Sequence, residues 1–235
     1  MRADKRMLFE FPVPESNVRM PAAPIEDKNE HLFRDHLLSR ADVLQGLKSH
    51  TLADLRPGQL ILHSLNRSLT FTQSQQLASL ARLTHEKHFD CLKYDQTELL
   101  IPGGLVLGIT MSASARDFHE ILHEEIISVN YLNSLHPGDI VGAVSYIQSV
   151  EDTVGDLQAV TVRTLGIKNL DVKNDLAGVG LPLELFQIYP SGKRVKPKDV
   201  ERIAKAMCPQ LQNKIVVQVD RRILRQARKQ EVFLL

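Results

Sequence analysis

Apolar positions fall at helical spacing from Leu32 through Phe33, Leu37, Leu38, Val43 and Leu44 to Leu47, which predicts an amphipathic helix, or two short ones, over Asn29 to about Leu52. The residues before it, Met1 to about Lys28, mix prolines with charges and keep neither a helical nor an alternating period, so they read as an extended arm. "LRPGQL" marks a turn, because proline fixes φ and glycine takes conformations that other residues avoid. "LILHSLNRSLTFT" then offers branched and aromatic residues suited to a strand, and "TQSQQLASLARL" has a polar start followed by leucines at helical spacing. The period changes near Thr72, a strand-to-helix junction.

The most apolar stretch, "LLIPGGLVLGITMSASARDFHEIL", predicts a mostly buried helix that begins at Gly103 and Gly104. Its small residues Gly108, Ser112, Ala113 and Ser114 let neighbouring backbones come close. Three strand candidates follow, "EIISVNYLN", "DIVGAVSYIQSV" and "DLQAVTVRTLGIKN", separated by the turn formers "HPGD" and "EDTVGD". A β-meander is the economical reading, and a helix embedded in antiparallel sheet makes an α+β arrangement. Further on, "KPKDVERIAKAM" predicts a short helix, "KIVVQV" a strand, and "DRRILRQARKQ" a basic helix capped by Asp220.

Charge sharpens the picture at the C-terminal end. Between Pro190 and Leu235 stand 12 Lys and Arg against 4 Asp and Glu, a surplus of +8 within a chain whose net charge is only +1. That end therefore reads as a basic extension or small subdomain, while the near-neutral whole argues against a globally basic nucleic-acid binder. Aromatics do not interleave the basic run, where only Phe233 follows Tyr189, so nucleic acid is not expected as a partner. At 235 residues the chain has room for one sizeable domain with decorations or two small ones. Two cysteines are too few for a disulfide framework, and no apolar run approaches the roughly 20 residues that cross a bilayer. A soluble protein of the reducing cytoplasm is the expectation.

Two polar clusters carry candidate chemistry. "HEILHEE" places His119, Glu120 and His123 in the His-Glu-x-x-His spacing that on a helix lets two imidazoles share one zinc and the glutamate act as base. It has no third ligand at a family spacing, and "EEIISVNYL" reads as a strand, so a zinc hydrolase ranks behind a polar run that leads into the sheet. "LTHEKHFDC" sets His85, His88 and Cys91 three apart, which suits a metal on a helix face, a Cys91 and His88 nucleophilic pair, or a solvated loop.

The order of "HFD", "PGGLVLG", "HPGD" and "TLGIKN" resembles the MaoC-like hotdog family of enoyl-CoA hydratases and dehydratases, over about Leu55 to Asn174. The resemblance implies a single hotdog fold, an antiparallel sheet wrapped around a central helix, over residues 53–178. An N-terminal arm and helical segment over 1–52 would precede it, and the basic extension over 179–235 would follow. It implies hydration or dehydration of a 2-enoyl-CoA or related acyl thioester, with coenzyme A as part of the substrate and no metal or other cofactor. His88 falls where the family has its catalytic histidine. The family's acid stands five residues earlier, where this chain has Leu83; a turn two residues shorter gives the role to Glu86, with Asp90 as the alternative. The family's Asn-Pro is absent from that turn. Gly103 and Gly104 match the helix entry that would hold the thioester oxygen, and Lys193, Arg194 and Lys196 are candidates for the coenzyme A phosphates. A homodimer or dimer of dimers is expected. An acyl-CoA thioesterase and a non-catalytic acyl-CoA-binding protein are the alternatives on the same fold.

Overall fold

The computed structural model describes residues 55–118, 121–153, 157–187 and 196–226. The chain divides into two units, Met1–Ser39 and Arg40–Leu235, and every described residue lies in the second. The arm, the helix expected up to Leu52, Lys193 and Arg194, and His119 and Glu120 lie outside the described residues.

At the "LRPGQL" turn Gly58 adopts φ +84, a value only glycine takes freely, and its N–H bonds to the Ile147 carbonyl at 2.8 Å. The strand expected next is split into β1 (Leu60–Leu62) and β2 (Arg67–Ser68). Helix α1 (Phe71–Leu80) starts where the period changes. Thr70 accepts the Gln73 N–H and the Gln73 side chain accepts the Thr70 N–H, a capping box written in four consecutive residues. Helix α2 (Gly103–Ser114) begins at the glycine pair and buries Val106, Thr110, Ala113 and Ser114, positions that share one helix face.

Three long strands follow, β3 (Ile121–Tyr131) starting four residues early, at Ile121 and Leu122 of the stretch expected to be helical, and β4 (Ile140–Asp152) and β5 (Leu157–Lys168) in the expected places. The short helices α3 (Val172–Asp175) and α4 (Pro197–Met207) precede the last strand, β6 (Ile215–Gln226). All pairings are antiparallel, in the order β1-β4-β5-β6-β3, with β2 also on β4. Val141, Val217 and Val219 form one core with α2 residues Leu105, Val106, Ile109 and Met111. The opposite strand faces, through Val144, Leu165 and Ile167, pack on α3, α4 and the turns between them. Helix α2 comes so close to the sheet that a Cβ at Gly166 would collide with Thr110 Oγ1. This is the single hotdog fold that the resemblance implied.

Two expectations are corrected. The three central strands are not a meander: β3 pairs with β6, and β4 lies three strands away across β5 and β6. Alternation marks a strand but does not name its neighbour, and the "HPGD" turn joins strands that do not pair. Nor is "DRRILRQARKQ" a helix capped by Asp220; residues up to Gln226 are strand, with Asp220 paired to Arg163 and Ser128 across its neighbours. Arg221 and Arg225 occupy buried alternate positions where a sequence pattern expects apolar residues, so their charges hide the period of two. The hotdog sheet thus draws a central strand from the segment assigned to the basic extension.

Candidate functional site

After α1 the chain reverses at Arg82, with φ +53, and enters a 3₁₀ turn over Glu86–His88 in which His85 Nδ1 accepts the Lys87 N–H. His88 is half-buried, and its Nδ1–H donates to the Leu100 carbonyl at 2.8 Å. Because that bond keeps a hydrogen on Nδ1, Nε2 is the ring nitrogen whose lone pair is available whenever the imidazole is neutral. Leu100 stands three residues before Gly103, so the histidine is tethered to the segment that enters α2.

Pro102 supplies no side-chain cap to α2, so the first amides, those of Gly103 and Gly104, have no acceptor inside the helix. Open space lies over Gly104, whereas a Cβ on Gly103 would stand 3.1 Å from the Tyr131 ring. An uncapped helix start beside open space favours a developing negative charge. Next to the 3₁₀ turn lies a solvent-facing groove of about 760 Å³ lined by Gln75, Gln76, Ser79, Leu80 and Phe89, the last of which follows His88 directly.

The two candidate acids do not meet this histidine. The Glu86 carboxylate is bound by Lys93 and by the Tyr94 hydroxyl, at 3.1 Å in the second case. The Lys93 hydrogen bond, then that of Tyr94, hold its pKa below the usual carboxylate value. Asp90 Oδ1 accepts the Leu92 N–H at 3.0 Å and stabilises the following turn. Lys196 immediately precedes α4, which packs on the sheet face opposite α2. Cys91 is exposed and sits against Gln75 and the Phe89 carbonyl rather than His88. His123 lies in β3, so the helical spacing of the zinc signature does not hold at that residue. Among the described residues no three metal-ligating side chains gather.

Sequence reasoning passed over a second polar constellation, at the far end of α2. His63 Nδ1 lies 2.5 Å from Asp117 Oδ2, and His63 Nε2 lies 2.8 Å from Ser145 Oγ, which in turn is 2.8 Å from Thr164 Oγ1. Burial, the largest influence, pushes the His63 imidazole below its usual value against the pull of Asp117, with Arg221 adding a smaller push in the same direction as burial. Arg221 itself is buried, bonded to Glu124 and Ser114 and lying over the Phe118 ring. A histidine alternating with Ile61 in an apolar strand was the one local signal for this network.

No protein-family model and no curated protein sequence matches the chain. Solved structures do. A MaoC domain protein dehydratase from Chloroflexus aurantiacus superposes with TM-score 0.55 at 20% identity, over 77% of this chain and 46% of that one. A MaoC-like dehydratase from Rhodospirillum rubrum gives TM-score 0.49 at 12% identity, over 76% and 98%. A Mycobacterium tuberculosis protein with a double hotdog fold gives 0.46 at 15%, over 88% and 48%. The chain therefore spans about half the length of the first and third of these. The similarity is one of fold, and it matches the likeness read from the sequence.

Proposed function

We propose that this protein adds water to, or removes it from, a 2-enoyl thioester carried by coenzyme A. The observation that carries the reading is the His88 ring tethered through Nδ1–H to the segment that leads into the uncapped glycine start of α2. Nε2 takes a proton from water as its oxygen bonds to C3, and the thioester oxygen, as it becomes an enolate, accepts from the Gly103 or Gly104 N–H. The same Nε2 then returns its proton to C2, so one water is gained and the imidazole ends neutral. No carboxylate is needed to balance this step, which accords with Glu86 being held by Lys93 and Tyr94. The groove beside Phe89 offers apolar lining for an acyl chain. A homodimer remains part of this proposal, since among the described residues β3 is the last strand of the sheet, with Ile126 and Ile127 about half exposed.

The experiment follows the ultraviolet absorbance of a short 2-enoyl-CoA as its conjugation is lost. The wild type should turn over, His88→Ala should lose on the order of 10²–10⁴-fold in rate, and Glu86→Gln should keep the wild-type rate. An unchanged rate in His88→Ala would sink the assignment. Release of free thiol would instead identify a thioesterase. A second reading, an acyl-CoA-binding protein without turnover, is favoured by one observation, that neither Glu86 nor Asp90 is bonded to His88. Saturable binding of the thioester with no reaction would support it.

A further inference from the structure

The extended segment Leu99–Ile101, between the 3₁₀ turn and α2, is gripped from both sides in the same way. On one side the Leu100 N–H donates to the Lys87 carbonyl at 2.9 Å while His88 Nδ1–H donates to the Leu100 carbonyl at 2.8 Å. On the other, the Ile101 N–H donates to the Leu135 carbonyl at 2.9 Å and His136 Nδ1–H donates to the Leu99 carbonyl, also at 2.9 Å. In extended backbone the polar groups of successive residues point to opposite sides, so the two grips act on opposite edges of one strap. His136 is itself held, because its N–H donates to Asp139 Oδ2 at 2.9 Å and Asp139 Oδ1 accepts from Asn169 Nδ2 at 2.7 Å. The turn that brings Asp139 back to His136 runs through Gly138 at φ +90.

We propose that His136 is a positioning residue for His88, holding the strap from the far side so that the Leu100 carbonyl is presented to the His88 ring; the role rests on the reading of His88 as the base. The "HPGD" sequence is thereby more than a strand entry, since its histidine and aspartate carry the chain of contacts from β4 to the proposed base. Without His136 the Leu99 carbonyl loses its donor, the far side of the strap keeps only the Ile101 N–H bond to Leu135, and the Leu100 carbonyl that anchors the His88 ring is set less firmly.

The test uses three variants of the full chain and two readouts. His136→Leu removes the donor, His136→Asn keeps an amide N–H where Nδ1 stands, and His136→Gln moves it one bond further out. In the enoyl-CoA assay His136→Leu should lower kcat by about tenfold or more with KM within about twofold, and His136→Asn should recover most of that loss. In parallel, ¹⁵N NMR of the His88 ring reads its tautomer without reference to turnover. A single Nδ1–H tautomer in the wild type and in His136→Asn should give way to a mixture in His136→Leu. Unchanged His88 ring signals in His136→Leu overturn the proposal, as does His136→Asn behaving like His136→Leu. If the leucine variant does not fold, the contrast between Asn and Gln carries the test, and equal behaviour of those two overturns it. A wild type with no hydratase activity would defeat the functional reading, while the ring signals would still decide the positioning role.

Discussion

Replacing Asp220 by alanine separates two descriptions of the C-terminal segment by the size of its effect. Had Asp220 capped a surface helix, its loss would cost about 0.5–2 kcal/mol. In the structure it accepts from Arg163 Nε at 2.6 Å and Arg163 Nη2 at 2.7 Å, and from Ser128 Oγ at 2.8 Å. Both side chains of the ion pair are nearly enclosed, with exposures of 7% and 6%. Such a pair contributes little by existing, because desolvation offsets most of the attraction, but removing one partner strands a charge in the interior. Asp220→Ala should therefore cost about 3–5 kcal/mol, read as a lower urea midpoint at unchanged m. The companion Arg163→Met/Asp220→Leu protein removes both charges and should recover part of the loss. It should fall short by about 1–3 kcal/mol, because the Gln187 carbonyl loses the 2.7 Å bond it accepts from Arg163. A single-variant cost below about 2 kcal/mol would refute the placement of Asp220 in the middle of a central strand.

Gly166→Ala should destabilise by about 1–3 kcal/mol, since the new methyl meets Thr110 Oγ1 and, at 2.9 Å, Val217 Cγ1; adding Thr110→Ala should return part of it in the same urea titration. The pH dependence follows from His63. Because its native pKa lies below that of an unfolded imidazole, at about 6.5, the unfolded chain takes up more protons as pH falls below that value. Stability contributed by neutral His63 should thus be present above that pH and decline below it until the native imidazole also protonates. Thermal melts between about pH 7.5 and 5.5 should show this decline, and His63→Gln should make it shallower; an equal slope in the two proteins would count against the buried neutral imidazole.

What the sequence made legible was local. The junction at Thr70 is a capping box whose partners are three residues apart, and the start of α2 is announced by proline followed by two glycines. What it hid depends on partners far along the chain. Asp220 is neutralised by Arg163 and Arg221 by Glu124, so a buried strand displayed the charges of an exposed helix. The order of strands was likewise unreadable, because β6 takes its place between β5 and β3 only after α3 and α4, which pack on the sheet face opposite α2. At the candidate site His88 was singled out by a local motif. His136 was not, because its acceptor lies 37 residues away. Glu86 was expected as a partner for that histidine from the family resemblance with a shortened turn, and the competing charge of Lys93, seven residues on, was the missing consideration.

The two ends of α2 show why a close-packed acid, histidine and serine is a weaker candidate than a histidine with no acid beside it. Asp117, His63 and Ser145 stand in the order of a nucleophilic triad, and their distances suit one. Yet the His63 side chain is fully enclosed, both of its ring nitrogens are engaged, and the Ser145 hydroxyl is shared with Thr164 beneath the sheet. A substrate atom would have to displace core packing around Phe118 and Ile147 to arrive there, at a cost of several kcal/mol for each large side chain moved. From Asp117 through His63 and Ser145 to Thr164 each side chain bonds to the next, which is what a buried polar run needs in order to be stable, and that suffices to explain it. His88, at the other end of the 12-residue helix α2, keeps Nε2 uncommitted, is partly open to solvent, and is tethered close in sequence to unsatisfied helix amides. Chemistry on an external molecule requires a group that still has a bond to make, and of the two constellations only the one at the helix start retains it.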